Sequence, residues 1–175
     1  MTKRKQIVAG NWKMNMDYDA GRELTKAITD GLKPSEALVI LGTPYIHLRN
    51  VASFIKDISN LKLAAQNCHQ EASGAYTGEV SPRMLAELDL YGVVLGHSER
   101  RQYFNENDEA LKAKVAAALE AKLVPIFCLG ETLEQREAGS TDQIVLHQLN
   151  VALEGLAPEQ LARVVVAYEL VWAIG

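Results

Sequence analysis

Short apolar runs at residues 6–9, 37–41, 61–65, 93–95, 124–129 and 164–168 alternate with segments of helical period, and this leaves few folds open. None of the runs alternates polar with apolar residues, as each would with one face in water. Each has the look of a parallel strand covered on both faces. Between them, Leu24, Ala27 and Ile28 form one helical stripe, and Leu48, Val51, Ala52 and Ile55 form the next. Leu111, Val115, Ala118 and Leu119 make a third, and Val145, Leu149, Ala152 and Leu156 a fourth. Ser81 followed by Pro82 is an N-cap with proline at the first helical position, and Met84, Leu85 and Leu88 behind it keep helical spacing. Strand after helix, repeated along the chain, predicts an α/β fold with a parallel sheet. No linker rich in Pro, Gly or Ser interrupts it, so a single domain over residues 1–175 is expected.

Composition excludes several classes of function. A formal charge of -4 with no long Lys/Arg run argues against a nucleic-acid or anionic-membrane surface. No apolar stretch approaches the roughly 20 residues of a membrane span. The basic start at residues 1–5 leads into too short an apolar run for a signal peptide. Cys68 and Cys128 lack Cys-x-x-Cys spacing and fit buried free thiols in a reducing compartment, so a cytoplasmic protein is expected. The same two thiols with His69 lack metal-ligand spacing, and no nucleotide-binding glycine motif occurs. Gly96-His97-Ser98-Glu99-Arg100 lacks the last glycine of a nucleophile elbow. His47 and His147 fall inside helical segments and are expected at the surface, and residues 134–137 form a solvated charge cluster.

Chemistry gathers where the strands end. The six runs lead into Gly10-Asn11-Trp12-Lys13, Gly42-Thr43-Pro44, Gln66-Asn67-Cys68-His69, Gly96-His97-Ser98-Glu99-Arg100-Arg101, Gly130-Glu131-Thr132 and Glu169. In a parallel sheet those ends point the same way and converge on one mouth. A Lys, a His and a Glu on three strands are what an acid/base site needs. After Glu169 the chain reads Leu170-Val171-Trp172-Ala173-Ile174, and exposed loops seldom carry such a run. The run is expected to close over Glu169 and keep it dry, which strengthens a carboxylate as a base. His97, preceding a helix at Ser98, would feel the positive end of that helix's dipole, which favours a neutral imidazole able to donate. Lys13 would supply fixed positive charge to an anionic intermediate. Each alone has an ordinary reading, as a solvated carboxylate, a structural histidine and a surface lysine.

Together these motifs carry a resemblance. Residues 9–15 (Ala-Gly-Asn-Trp-Lys-Met-Asn), 96–101 (Gly-His-Ser-Glu-Arg-Arg), 167–169 (Ala-Tyr-Glu) and 171–175 (Val-Trp-Ala-Ile-Gly) resemble the triosephosphate isomerase family. So do residues 73–79 (Ser-Gly-Ala-Tyr-Thr-Gly-Glu) and 128–131 (Cys-Leu-Gly-Glu), and the match runs through the whole chain in order. The resemblance implies a (β/α)8 TIM barrel of which this chain supplies about six strands, an incomplete domain cut in the loop after strand six. It implies interconversion of dihydroxyacetone phosphate and D-glyceraldehyde 3-phosphate, in glycolysis and gluconeogenesis, with no cofactor and no metal. Catalytic residues would be Lys13, His97 and Glu169, with Glu99 as a supporting or proton-relay carboxylate. That a glutamate base works beside a neutral histidine in this enzyme is a known pattern. Asn11, Lys13 and the backbone N–H of Gly175 would bind substrate.

The resemblance also implies a homodimer in which residues 73–79 dock beside the partner's site through Thr77, with Tyr76 at the tip. Two departures stand out. Strands seven and eight, whose loops give the family its phosphate amides, are expected on a companion chain. Leu170 stands where the family pattern has proline, which would fix φ and push Glu169 out of the helical region. Alternatives from the residues alone are a non-catalytic partial barrel that associates with a complementary piece, or an open doubly wound sheet with another small-molecule role.

Overall fold

A computed structural model describes residues 5–173, so the expected phosphate contact at Gly175 lies outside the described residues. The order is β1 (Ile7–Asn11), α1 (Tyr18–Gly31), β2 (Leu38–Thr43), α2 (Tyr45–Ile55), β3 (Leu61–Ala65), α3 (Pro82–Ala86) and β4 (Gly92–Leu95). It continues with α4 (Ser98–Tyr103), α5 (Asp108–Glu120), β5 (Val124–Leu129), α6 (Leu133–Glu137), α7 (Thr141–Leu153), α8 (Pro158–Leu161), β6 (Val165–Tyr168) and a 3₁₀ turn at Val171–Ala173. All strands pair in parallel in sequence order, β1 to β6, and the sheet curls into a partial barrel wall with helices outside.

Local chemistry sets the helix starts. Asp17 accepts the Ala20 N–H at 3.0 Å, Ser81 that of Met84 at 3.3 Å and Asn107 that of Ala110 at 2.9 Å. Thr132 and Gln135 cap α6 reciprocally. Each cap satisfies a donor that the first helical turn leaves without a partner.

The strands feed two apolar layers. Leu41, Leu63, Leu95, Phe127 and Leu129 pack outward against Leu48, Val51, Leu111, Val115 and Leu119 of the helices. Leu38, Ile40, Ala64, Val94, Ile126 and Cys128 face the opposite way and form the inner layer. Successive residues of a strand point to opposite faces, so a strand with both faces covered is apolar throughout.

That reading fails at the two edges. Every residue of β1 is exposed, Val8 to 59%, and β6 alternates, with Val166 47% exposed. Both were expected to be covered on both faces. Among the described residues each pairs on one side only, and the inner layer thins out beside them. Met84 also turns outward, leaving Pro82 and Leu85 as the buried residues of α3.

His47 corrects another expectation. It is fully buried rather than superficial, because α2 presents it to α1 and Trp12. His147 is exposed as expected, near Asp108.

Candidate active site

The C-terminal ends of β1 to β4 open into a cleft of about 270 Å³ whose lining includes Asn11, Lys13, Gln66, Asn67, His97 and Glu99. Parallel strands with sequential neighbours bring these ends together, although the residues are far apart in sequence.

Lys13 has φ 53°, in the left-handed region that a residue with a side chain seldom occupies. Its surroundings hold that conformation from both sides. The Lys13 N–H donates to Asn11 Oδ1 at 2.9 Å, and the Lys13 carbonyl accepts from Gln66 Nε2 at 3.0 Å. Gln66 Nε2 also lies 3.0 Å from Asn11 Oδ1 and from Gly42 O, tying β1, β2 and β3 at one point. Lys13 Nζ then meets Glu99 Oε1 at 2.8 Å, which carries its charge into the cleft.

His97 is the N-cap of α4. Its Nδ1 accepts the Glu99 N–H at 3.2 Å, so in a neutral ring the proton resides on Nε2. Nε2 lies 3.2 Å from Glu169 Oε1, and Glu169 Oε2 accepts the Ser98 N–H at 2.8 Å. Glu99 Oε2 lies 3.5 Å from Nδ1 but makes no hydrogen bond to it in the neutral ring, because both atoms are acceptors. Arg101 supports the turn, its Nε donating to Gly96 O at 3.0 Å and its Nη2 to Cys128 O at 3.4 Å.

Glu169 follows β6, where its N–H donates to Leu129 O at 2.7 Å. Gly130 permits this approach, because a Cβ there would stand 2.1 Å from the Glu169 carbonyl oxygen. The Glu169 side chain is only 12% exposed. The apolar run behind it is itself partly open to solvent: Leu170 is 42% and Trp172 38% exposed. Trp172 Nε1 donates to Glu131 Oε1 at 3.4 Å, and the Tyr168 hydroxyl donates to the same carboxylate at 2.8 Å. Burial pushes the enclosed Glu131 carboxyl up, but donors from Tyr168, its own backbone, Arg136 and Trp172 together hold it below the usual range.

A buried polar network supports the cleft from outside. Lys114 Nζ donates to Asn67 Oδ1 at 2.9 Å and to Glu106 Oε1, which also accepts Arg100 Nε at 3.1 Å. The Tyr45 hydroxyl donates to Asn67 O at 2.7 Å. Burial raises the Glu106 carboxyl, yet the Lys114 hydrogen bond and the Lys114 and Arg100 charges bring it below its ordinary value. Both cysteines are free and buried; burial pushes the Cys68 thiol up to about 12 and the Cys128 thiol higher still, with the Glu169 charge adding to it. Both side chains are therefore held as neutral thiols.

The structure thus brings Asn11, Lys13, His97, Glu99 and Glu169 together. Thr77 does not line the cleft, and residues 71–79 are all exposed. Sequence reasoning places Gln66 at the mouth without giving it a role, and it misses Glu106 and Lys114. Gln66-Asn67 directly after an apolar strand was a visible signal, whereas Lys114 on α5 looks like any helical lysine.

The fold and site define an α/β protein of the partial TIM-barrel type, with an acid–base cleft at the C-terminal ends of its strands. Comparison sharpens this. The family model for triosephosphate isomerase matches residues 6–175. A triosephosphate isomerase of Clostridium botulinum is 48% identical over 172 residues, spanning 98% of this chain and 69% of that protein. One of Acetivibrio thermocellus is 49% identical, spanning 98% of this chain and 68% of that protein. The chain belongs to the triosephosphate isomerase family.

Proposed function

We propose that the cleft serves aldose–ketose isomerisation, taking dihydroxyacetone phosphate to D-glyceraldehyde 3-phosphate and back through an enediol(ate). The observation that carries this reading is the His97 Nε2 to Glu169 Oε1 distance of 3.2 Å, a donor and a base side by side. Glu169 removes a proton from the carbon beside the carbonyl and returns one to the neighbouring carbon. His97, its Nδ1 occupied by a backbone amide, donates through Nε2 to the substrate oxygens in turn. Lys13 offsets the charge that develops on those oxygens and on the phosphate. Glu99 holds Lys13 before substrate arrives, and Asn11 aims the Lys13 backbone. Neither a metal nor a cofactor has a role in these steps, and the reaction belongs to cytoplasmic triose phosphate metabolism.

Positioning the phosphate so that both carbons face Glu169 is worth about 7–11 kcal/mol in reactions of this kind. In an eight-stranded barrel much of that anchoring comes from the loops after strands seven and eight. The six strands described are proposed to turn over triose phosphate efficiently only together with two further βα units that hold the phosphate. The exposed β1 and β6 favour a second reading, a non-catalytic partial barrel that only associates.

One experiment separates the readings. Triose phosphate turnover is followed with the purified chain alone and with a polypeptide carrying two further βα units. Isomerisation that depends on the concentration of both pieces supports the enzyme. Association without turnover supports the binding module, and full turnover by the chain alone overturns the dependence on added strands.

A further inference from the structure

We infer that His47 is a positioning residue for the Lys13 loop, a role that rests on the proposal that Lys13 acts in the cleft. His47 lies on α2, is fully buried, and takes no part in the acid–base set. Its Nε2 stands 3.1 Å from Met16 O. A carbonyl can only accept, so Nε2 carries the hydrogen and donates. Met16, like Lys13, is in the left-handed region, with φ 69°. The loop from β1 to α1 therefore holds two residues in a conformation that side chains disfavour, and each must be held from outside. Gln66 holds the Lys13 end and His47 the Met16 end.

The surroundings of the ring are built for it. Trp12, the residue before Lys13, meets His47 edge-on at 5.4 Å between centroids, and Tyr18 stacks on it at 6.4 Å. A Cβ at Gly21 would sit 2.5 Å from His47 Cε1 and 2.6 Å from Nδ1. α1 thus lacks a side chain where the ring passes, and Nδ1 meets no donor among the described residues. Among the described residues only the Nε2 edge of the ring makes a hydrogen bond, and it makes it to the loop.

The test uses the full chain without substrate, so its result stands whether or not the isomerase proposal holds. Gln places a side-chain N–H where Nε2 sits, whereas Asn reaches only as far as Nδ1. Trypsin cleavage at the Lys13–Met14 bond reports the open population of the loop, with cleavage after Lys122 as the internal reference. Losing the donor to a half-buried carbonyl in His47→Asn should speed cleavage at Lys13–Met14 about tenfold over the reference, while His47→Gln stays close to the parent. Equal acceleration in both variants would mean the ring merely fills space, and no acceleration in either would remove the role. If His47→Asn does not fold, Gly21→Ala is read instead, since its methyl displaces the ring while favouring helix α1. Faster cleavage at Lys13–Met14 alone supports the inference, and an unchanged rate overturns it.

Discussion

Glu169 and Ser98, 71 positions apart, share a hydrogen bond in which the Ser98 N–H donates to Glu169 Oε2 at 2.8 Å. It joins the end of β6 to the start of α4, the helix that His97 caps. The bond holds the carboxylate beside the histidine, with Oε1 3.2 Å from His97 Nε2. The position of one side chain therefore governs the proposed chemistry.

If Glu169 is the base, Glu169→Gln removes basicity and keeps shape. In a barrel completed with the remaining strands, kcat should fall by roughly 10²–10⁴-fold. Steady-state kinetics with a folding check by circular dichroism measure this. A loss under about tenfold would take Glu169 out of that role.

Leu170→Pro should raise kcat in the same completed protein. Among the described residues the Leu170 N–H donates to no partner, so proline removes no hydrogen bond. Proline narrows the open ensemble by about 0.4–1 kcal/mol where it fits, and it steers the preceding Glu169 toward extended backbone. Equal or lower activity would show that the leucine is compensated elsewhere.

Thr77→Arg should weaken self-association. Residues 71–79 are exposed, Tyr76 to 45%, and the His69 and Tyr76 rings stand 4.3 Å apart, which shapes the loop as a projection. Sedimentation velocity should show a shift toward monomer, with activity of the completed protein falling in parallel. A fully dimeric, fully active variant would refute docking through this loop.

Glu106→Gln should cost about 3–5 kcal/mol, because Lys114 would keep its charge in a buried site with only neutral amide oxygens to accept from it. The sign of the pH dependence follows from a carboxyl held below its ordinary value. Its contribution is complete above the unfolded carboxylate value of about 4.3 and fades as pH falls through the lower folded value. The stability gap between parent and variant in urea unfolding should therefore narrow as pH falls below the unfolded carboxylate value of about 4.3. A constant gap would assign the loss to packing.

The six strands are legible in the sequence, because a strand in a parallel sheet writes its burial directly into an apolar run. That Lys13, His97 and Glu169 would meet is legible too, since each follows such a run and strand direction is shared; the structure brings them together around Glu99. Tertiary structure decided what depends on neighbours distant in the chain. Whether a run is covered depends on which strand lies beside it, so the apolar Val8 and Val166 are open to solvent while the equally apolar Ile40 and Val94 are enclosed. His47 could be assigned to a helix but not to the interior, because its burial depends on a missing side chain at Gly21, in another helix. Nothing in the local sequence marks Lys114 as buried, and only Glu106 and Asn67, from outside its helix, give it partners there. Local periodicity records what a residue prefers, and only packing between separate elements supplies the partner that lets a polar group be buried.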